Sequence, residues 1–111
     1  MKILCVCRYG SVRSTAMAHV LKNQGNEAIA AGYDTLSPET MRMLMDWADF
    51  ILIAEDFMID NLPPVHNKPI VDVGIGPDVW GMDGIGQLVQ EVKPLIEHAL
   101  IKYHTGNIWN K

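Results

Sequence analysis

Eight residues near the start of the chain have the composition of a phosphate-binding loop. Residues 7–14 read Cys-Arg-Tyr-Gly-Ser-Val-Arg-Ser. A tight loop that leads into a helix turns several backbone N–H groups inward, and the helix dipole adds partial positive charge. Gly10 can adopt the positive φ that a chain curling around an anion needs. The segment therefore predicts a site for a tetrahedral oxyanion, surrounded by Arg8, Tyr9, Gly10, Ser11, Val12, Arg13 and Ser14.

Three side chains of this loop suit phosphoryl transfer. A helix N-terminus and nearby arginines favour the thiolate form of Cys7, which is a good nucleophile toward phosphorus. Arg13 can present a planar fork of donors to two phosphate oxygens. Ser14 can donate a hydrogen bond to the sulfur or cap the following helix. This spacing favours a catalytic role for Cys7, whereas Cys5 is interpreted as a small hydrophobic core residue.

Short apolar runs and amphipathic segments must position this loop. Strands are predicted at residues 3–6, 28–31, 50–54 and 70–73. Helices are predicted from Ser14, from the Ser37-Pro38 start signal, and over residues 85–104 with a kink or break near Pro94. One or two helical turns are expected at residues 56–62.

The strands are continuous apolar runs that alternate with helices, which is typical of a parallel sheet covered on both faces. The expected fold is therefore a single α/β domain over residues 1–111. We expect a flavodoxin-like three-layer sandwich with a four-stranded parallel sheet in the order 2-1-3-4. In such sheets ligands bind beyond the carboxyl ends of the strands, beside strand one. The loop at residues 7–14 follows that strand.

Composition excludes several other classes of protein. A formal charge of −4 over 111 residues argues against a nucleic-acid surface, and no apolar stretch approaches the ~20 residues of a membrane span. The two cysteines are two positions apart on one predicted strand, which is poor geometry for a disulfide. The histidines lack metal-ligand spacing, so neither a metal nor a cofactor is expected. These features favour a cytoplasmic protein, and they leave its oligomeric state open.

The pattern Cys, two residues, Gly, two residues, Arg, Ser is the signature of protein tyrosine and dual-specificity phosphatases. Its N-terminal position in a small α/β chain resembles the low-molecular-weight protein tyrosine phosphatases, and most closely their short bacterial relatives. The resemblance implies a flavodoxin-like fold, no metal, and hydrolysis through a phosphocysteine. The substrate would be a phosphorylated protein or a small aryl phosphate. The chain departs from the family at Tyr9-Gly10, at Val12 in place of a second cysteine, and at Thr15 in place of proline.

The resemblance also implies a general acid late in the chain, an Asp followed by proline and an aromatic residue. Asp72, Asp78 and Asp83 are the candidates, and we select Asp78 because Trp80 lies two residues beyond it. Val79 stands where the family has proline. Trp80 and Tyr9 would then form an aromatic rim around the substrate, although Trp80 could equally anchor its loop.

Two other functions share part of this pattern. Cysteine-phosphorylated B subunits of sugar phosphotransferase systems have a similar N-terminal loop, and Cys7, Gly10, Ser14 and Thr15 suit them. Arg13 suits them poorly, because a phosphocarrier must keep its phosphocysteine reactive toward a partner. A phosphate-binding domain without turnover is the other alternative. Arsenate reduction is disfavoured because it needs further cysteines to pass a disulfide outward.

Overall fold

The chain alternates strands and helices, as its sequence pattern predicts. The computed structural model describes residues 1–64, 68–77, 79–106 and 108–110. Two 3₁₀ segments interrupt the later part, at Asp56–Asn61 and Met82–Gly84. The helices and strands in chain order are β1 (Lys2–Cys7), α1 (Arg13–Asn23), β2 (Glu27–Gly32), α2 (Pro38–Trp47), β3 (Phe50–Ile53), β4 (Pro69–Asp72), α3 (Ile85–His104) and β5 (Trp109–Asn110).

The sheet has the order β2-β1-β3-β4-β5. Its first four strands are parallel, which confirms the predicted order 2-1-3-4. The two-residue strand β5 pairs antiparallel with β4 and was not predicted. The register pairs Cys7 with Gly32 on β2, and Val6 with Ile53 on β3. The carboxyl ends of these strands therefore meet at one edge, where the loop at residues 8–12 begins.

Helices surround this sheet and bury its apolar strands. Helices α1 and α3 pack against each other; α1 also contacts β1 and β2, and α3 contacts β4. Helix α2 packs on β1. The central strands β1 and β3 are buried almost throughout, which explains why they are continuous apolar runs. The observed architecture is the α/β sandwich that the sequence predicts. No helix in the described part of the chain is long and apolar enough to cross a membrane.

Helices α2 and α3 test two predictions made from the sequence, a helix cap and a helix break. Ser37 caps α2, because its hydroxyl accepts a hydrogen bond of 3.2 Å from the Thr40 amide, as predicted. Helix α3 runs through Pro94 without interruption, so the possible break there does not occur. Pro94 is exposed, whereas Val92 and Ile96 on either side of it are buried. Tertiary packing of this apolar face outweighs the lost backbone hydrogen bond.

Candidate active site

The loop of residues 8–12 joins the last residue of β1, Cys7, to the first residue of α1, Arg13. The Gly10 amide donates a hydrogen bond of 3.2 Å to Cys7 Sγ. Cys7 Sγ also lies 3.2 Å from Ser14 Oγ, in a buried contact where the neutral thiol is the donor. The hydroxyl can reverse this bond once the thiol ionises. The Ser14 side chain therefore bonds to the sulfur and does not cap α1. The cap position of α1 is occupied by Val12, which makes no side-chain hydrogen bond.

Two glycines let this loop lie directly against the end of β2. Gly10 has φ +73°, and a Cβ there would lie 2.5 Å from the Gly32 amide nitrogen. A Cβ on Gly32 would lie 2.2 Å from the Tyr9 carbonyl carbon. The Tyr33 amide also donates to the Cys7 carbonyl at 3.2 Å. The loop is thus fixed by a close backbone contact at Gly32, which the sequence did not predict.

Arg13 is buried beneath the loop, with 2% of its surface exposed. Its Nη1 donates to Glu55 Oε2 at 2.9 Å and to the Gly76 carbonyl at 2.8 Å. Its Nε is buried and has no hydrogen-bond partner among the described residues. Leaving such a donor unpaired costs about 1–3 kcal/mol, so this edge of the guanidinium is suited to receive an oxyanion.

Sequence reasoning missed Glu55. It lies two residues beyond β3 and forms an ion pair with Arg13, which is 42 positions away in sequence. One signal could have suggested it: an acidic residue directly after a buried parallel strand reaches the same sheet edge as the loop that follows β1.

The rim of the loop carries Arg8 and Tyr9. Arg8 Nε donates to Asp34 Oδ2 at 2.7 Å, and this hydrogen bond raises the pKa of Arg8. The Arg8 guanidinium carbon lies 5.1 Å from the centroid of the Tyr9 ring. Tyr9 is 48% exposed, so its ring is accessible at the mouth of the loop. Ser11 is exposed as well.

The segment after β4 carries the candidate acids. Asp78, selected from the sequence as the general acid, lies outside the described residues. Gly76, two residues earlier, reaches the loop through its hydrogen bond with Arg13. Trp80 is partly buried and packs against the core. Asp83 is exposed within the second 3₁₀ segment.

Three carboxylates share one cleft, and one of them, Glu55, is the partner of Arg13. Glu55, Asp56 and Asp72 line a cleft of about 200 Å³ together with Gly74 and Gly76. Burial raises the pKa of Asp72, and the nearby Asp56 charge raises it further, against a hydrogen bond from the Gly74 amide. No cluster of His, Cys, Asp and Glu in the described part of the chain could hold a metal ion. A cation that enters this cleft would meet a negative field.

The two cysteines differ in environment although only one residue separates them. Cys5 is fully buried in the sheet, and burial raises the pKa of its thiol, which keeps it neutral. Cys7 ends the strand at the loop, with the Gly10 amide and the Ser14 hydroxyl as neighbours. The geometry agrees with the interpretation of Cys5 as a core residue.

Comparisons with known proteins connect this geometry to solved structures. No family model matches the chain, and no curated protein matches its sequence. The structure is similar to the YwlE arginine phosphatase from Geobacillus stearothermophilus, with a TM-score of 0.53 and 18% identity over 95% of this chain and 94% of that one. It is also similar to a product-state mimic of a protein tyrosine phosphatase from Entamoeba histolytica, with a TM-score of 0.57 and 19% identity over 99% of each chain. The chain thus shares the fold of these two phosphatases, which is the fold implied by the resemblance of its loop to the low-molecular-weight protein tyrosine phosphatases.

Proposed function

We propose that this protein is a cysteine-dependent phosphatase that hydrolyses phosphomonoesters, with phosphotyrosine in proteins as its substrate. One observation carries the proposal. The Cys7 sulfur lies within hydrogen-bond distance of the Gly10 amide and of the Ser14 hydroxyl in the first turn of α1. The first residue of that helix, Arg13, is buried and its Nε has no hydrogen-bond partner among the described residues. Amides and a guanidinium edge suit the oxygens of a phosphoryl group, and the sulfur suits its phosphorus atom.

The first step forms a phosphocysteine. The Cys7 thiolate attacks phosphorus, the S–P bond forms, and the bond from phosphorus to the leaving oxygen breaks. Arg13 and the loop amides bind the three remaining phosphoryl oxygens, where negative charge accumulates. Asp78 acts as the general acid and gives its proton to the leaving oxygen, so that an alcohol departs.

The second step releases phosphate. Asp78, now ionised, takes a proton from a water molecule whose oxygen attacks phosphorus. The S–P bond breaks and its electron pair returns to Cys7 as the thiolate. Ser14 lies 3.2 Å from that sulfur and can donate its hydroxyl hydrogen to the leaving thiolate. Inorganic phosphate then leaves the loop.

An aromatic rim supports phosphotyrosine as the substrate. The exposed Tyr9 ring adjoins the loop, and Trp80 belongs to the segment that also carries Asp78. Aromatic side chains at a site entrance can stack on an aryl leaving group. One structural neighbour is a protein tyrosine phosphatase.

Phosphoarginine is a second candidate substrate, and the carboxylate cleft favours it. Glu55, Asp56 and Asp72 would attract a guanidinium leaving group next to the phosphoryl site. The other structural neighbour is an arginine phosphatase. Replacing Asp56 by Asn separates the two candidates: activity on a phosphoarginine peptide falls if the cleft holds the guanidinium, whereas activity on a phosphotyrosine peptide is preserved.

Hydrolysis of an aryl phosphate tests the proposal directly. We expect Cys7→Ser and Arg13→Lys to abolish nearly all activity and Asp78→Asn to reduce turnover strongly. Cys5→Ala and Arg42→Lys serve as matched controls, because Cys5 is buried away from the loop and Arg42 is exposed on α2. Normal activity in Cys7→Ser would refute the proposal. Absence of hydrolysis combined with phosphate uptake from a phosphohistidine protein would instead indicate a phosphocarrier.

A further inference from the structure

A small apolar groove lies next to the candidate active site, between the segment that follows β2 and the end of the first 3₁₀ segment. Its volume is about 220 Å³. Met41 and Leu62 are buried and form its floor, and Asn61 is exposed at its edge. The remaining walls are supplied by Tyr33, Leu36, Pro38 and Pro63.

One residue, Tyr33, connects this groove to the end of β1 where the phosphate loop begins. Tyr33 lines it and also donates its backbone N–H to the carbonyl of the Cys7 residue. Burial raises the pKa of the Tyr33 hydroxyl, the charge of Asp34 raises it too, and that of Arg13 lowers it. The Tyr33 side chain is therefore within electrostatic range of the loop arginine while it forms a wall of the groove.

The size of the groove limits what can occupy it. Sites for drug-sized ligands and cofactors have volumes of roughly 300–1,000 Å³. The groove is smaller, and most of its lining is apolar, with polar groups from Tyr33 and Asn61, so it suits one medium-sized apolar side chain. A small aryl phosphate bound in the loop would leave it unused, whereas a polypeptide that continues beyond its phosphorylated residue could fill it.

We propose that this groove binds one apolar side chain of a polypeptide substrate, close in sequence to the phosphorylated residue, and so selects the sequence that is dephosphorylated. The inference rests on the proposed phosphatase function and names the substrate of the same site more closely. Asn61 at the edge of the groove provides an amide that can hydrogen-bond to the peptide backbone of the bound segment.

A peptide scan tests this assignment. The host peptide has seven residues, a central phosphotyrosine with three alanines on each side. Leucine replaces one alanine at a time. We expect one leucine position to raise kcat/KM by about tenfold over the host, because one buried aliphatic group discriminates substrates by this order. p-Nitrophenyl phosphate is assayed in parallel, and its hydrolysis reports the phosphatase function alone.

Two variants that introduce the same glutamate at different places test whether the leucine preference depends on the groove. Leu36→Glu places a charge in the groove wall, and we expect it to reduce the leucine-to-alanine ratio of kcat/KM to about one. Met43→Glu places the same charge on the exposed outer side of α2 and is expected to keep the ratio. Thermal melts of both variants check that they remain folded. The ratio compares two peptides on one protein, so a change in overall activity cancels.

The outcomes separate the groove from the phosphatase function. If neither p-nitrophenyl phosphate nor any peptide is hydrolysed, the phosphatase proposal fails. The leucine preference is then measured by binding, as the Kd of leucine-containing and all-alanine phosphopeptides for the Cys7→Ser variant. A leucine-to-alanine ratio near one at every position overturns the inference, as does a preference that persists in Leu36→Glu. The inference is also overturned if the protein forms a dimer in solution that Leu36→Glu dissociates and shows no peptide preference. The groove would then bind a second copy of the chain.

Discussion

Replacing Gly32 by Ala adds one methyl group where the end of β2 touches the phosphate loop. The new Cβ would lie 2.2 Å from the Tyr9 carbonyl carbon and 2.5 Å from the Gly10 nitrogen, whereas ordinary contacts are 3.4–4 Å. Both neighbours are backbone atoms, so no side chain can rotate away. The loop must therefore move away from β2 by about 1 Å, a displacement that can cost ~10²-fold in catalysis.

The same substitution also carries an energetic cost. Overpacking a site of this kind destabilises a protein by about 1–3 kcal/mol. We expect Gly32→Ala to lower the free energy of unfolding by that amount in urea denaturation. Its kcat/KM on an aryl phosphate should fall by about 10²-fold at a temperature where the variant is fully folded. The loss of activity would then reflect a displaced loop and not unfolded protein.

Gly86→Ala is the matched control for this experiment. Gly86 lies in the first turn of α3, and a Cβ there would meet nothing within 4 Å. The same methyl group at this position should leave activity at the wild-type level and raise stability slightly, because Ala favours a helix over Gly by up to about 1 kcal/mol. Wild-type kcat/KM in Gly32→Ala would refute the conclusion that this backbone contact positions the loop.

Substitutions at three further positions test individual interactions. Glu55→Gln removes a charge from the partner of buried Arg13, so urea denaturation should show a loss of about 1–3 kcal/mol, and unchanged stability would contradict the ion pair. Burial raises the pKa of Asp72, so its ionisation destabilises the folded state at neutral pH, whereas below its unfolded pKa this cost disappears. Asp72→Asn should thus raise Tm at pH 7 and not at pH 3, and an equal shift at both values would argue against this. Ser14→Ala should lower kcat by about 10–100-fold, and Ser14→Thr should restore part of it; full turnover in the alanine variant would exclude a role for the hydroxyl at the sulfur.

Local sequence signals predicted most of the fold. The apolar runs located all four parallel strands to within one residue at each end, because strands buried on both faces admit few polar residues. Ser37-Pro38 correctly located the start of α2, since capping is a local interaction. The cap of α1 was predicted at Ser14 but lies two residues earlier at Val12, and the Ser14 hydroxyl bonds to the Cys7 sulfur instead. Strand β5 was missed, because two residues carry no periodicity and pair only through tertiary contact.

The residues that surround Arg13 show the limit of sequence reasoning. Cys7, Gly10 and Arg13 lie within seven consecutive residues, so the sequence alone predicted a segment that suits an anion and a nucleophilic thiol. Glu55 and Gly76 bond to Arg13 across 42 and 63 positions. Their convergence depends on the strand order, which brings the segments after β3 and β4 to the edge where β1 ends.

Sequence and tertiary structure thus decided different parts of this site. The sequence predicted the anion site and nucleophile of residues 7–14, because residue type and spacing are properties of a short segment. Only the tertiary structure decided that Gly32 must lack a side chain, that Glu55 holds the arginine and that an apolar groove adjoins the loop. Each of these depends on side chains or backbone from separate strands, and packing of the sheet is what brings such segments within contact distance.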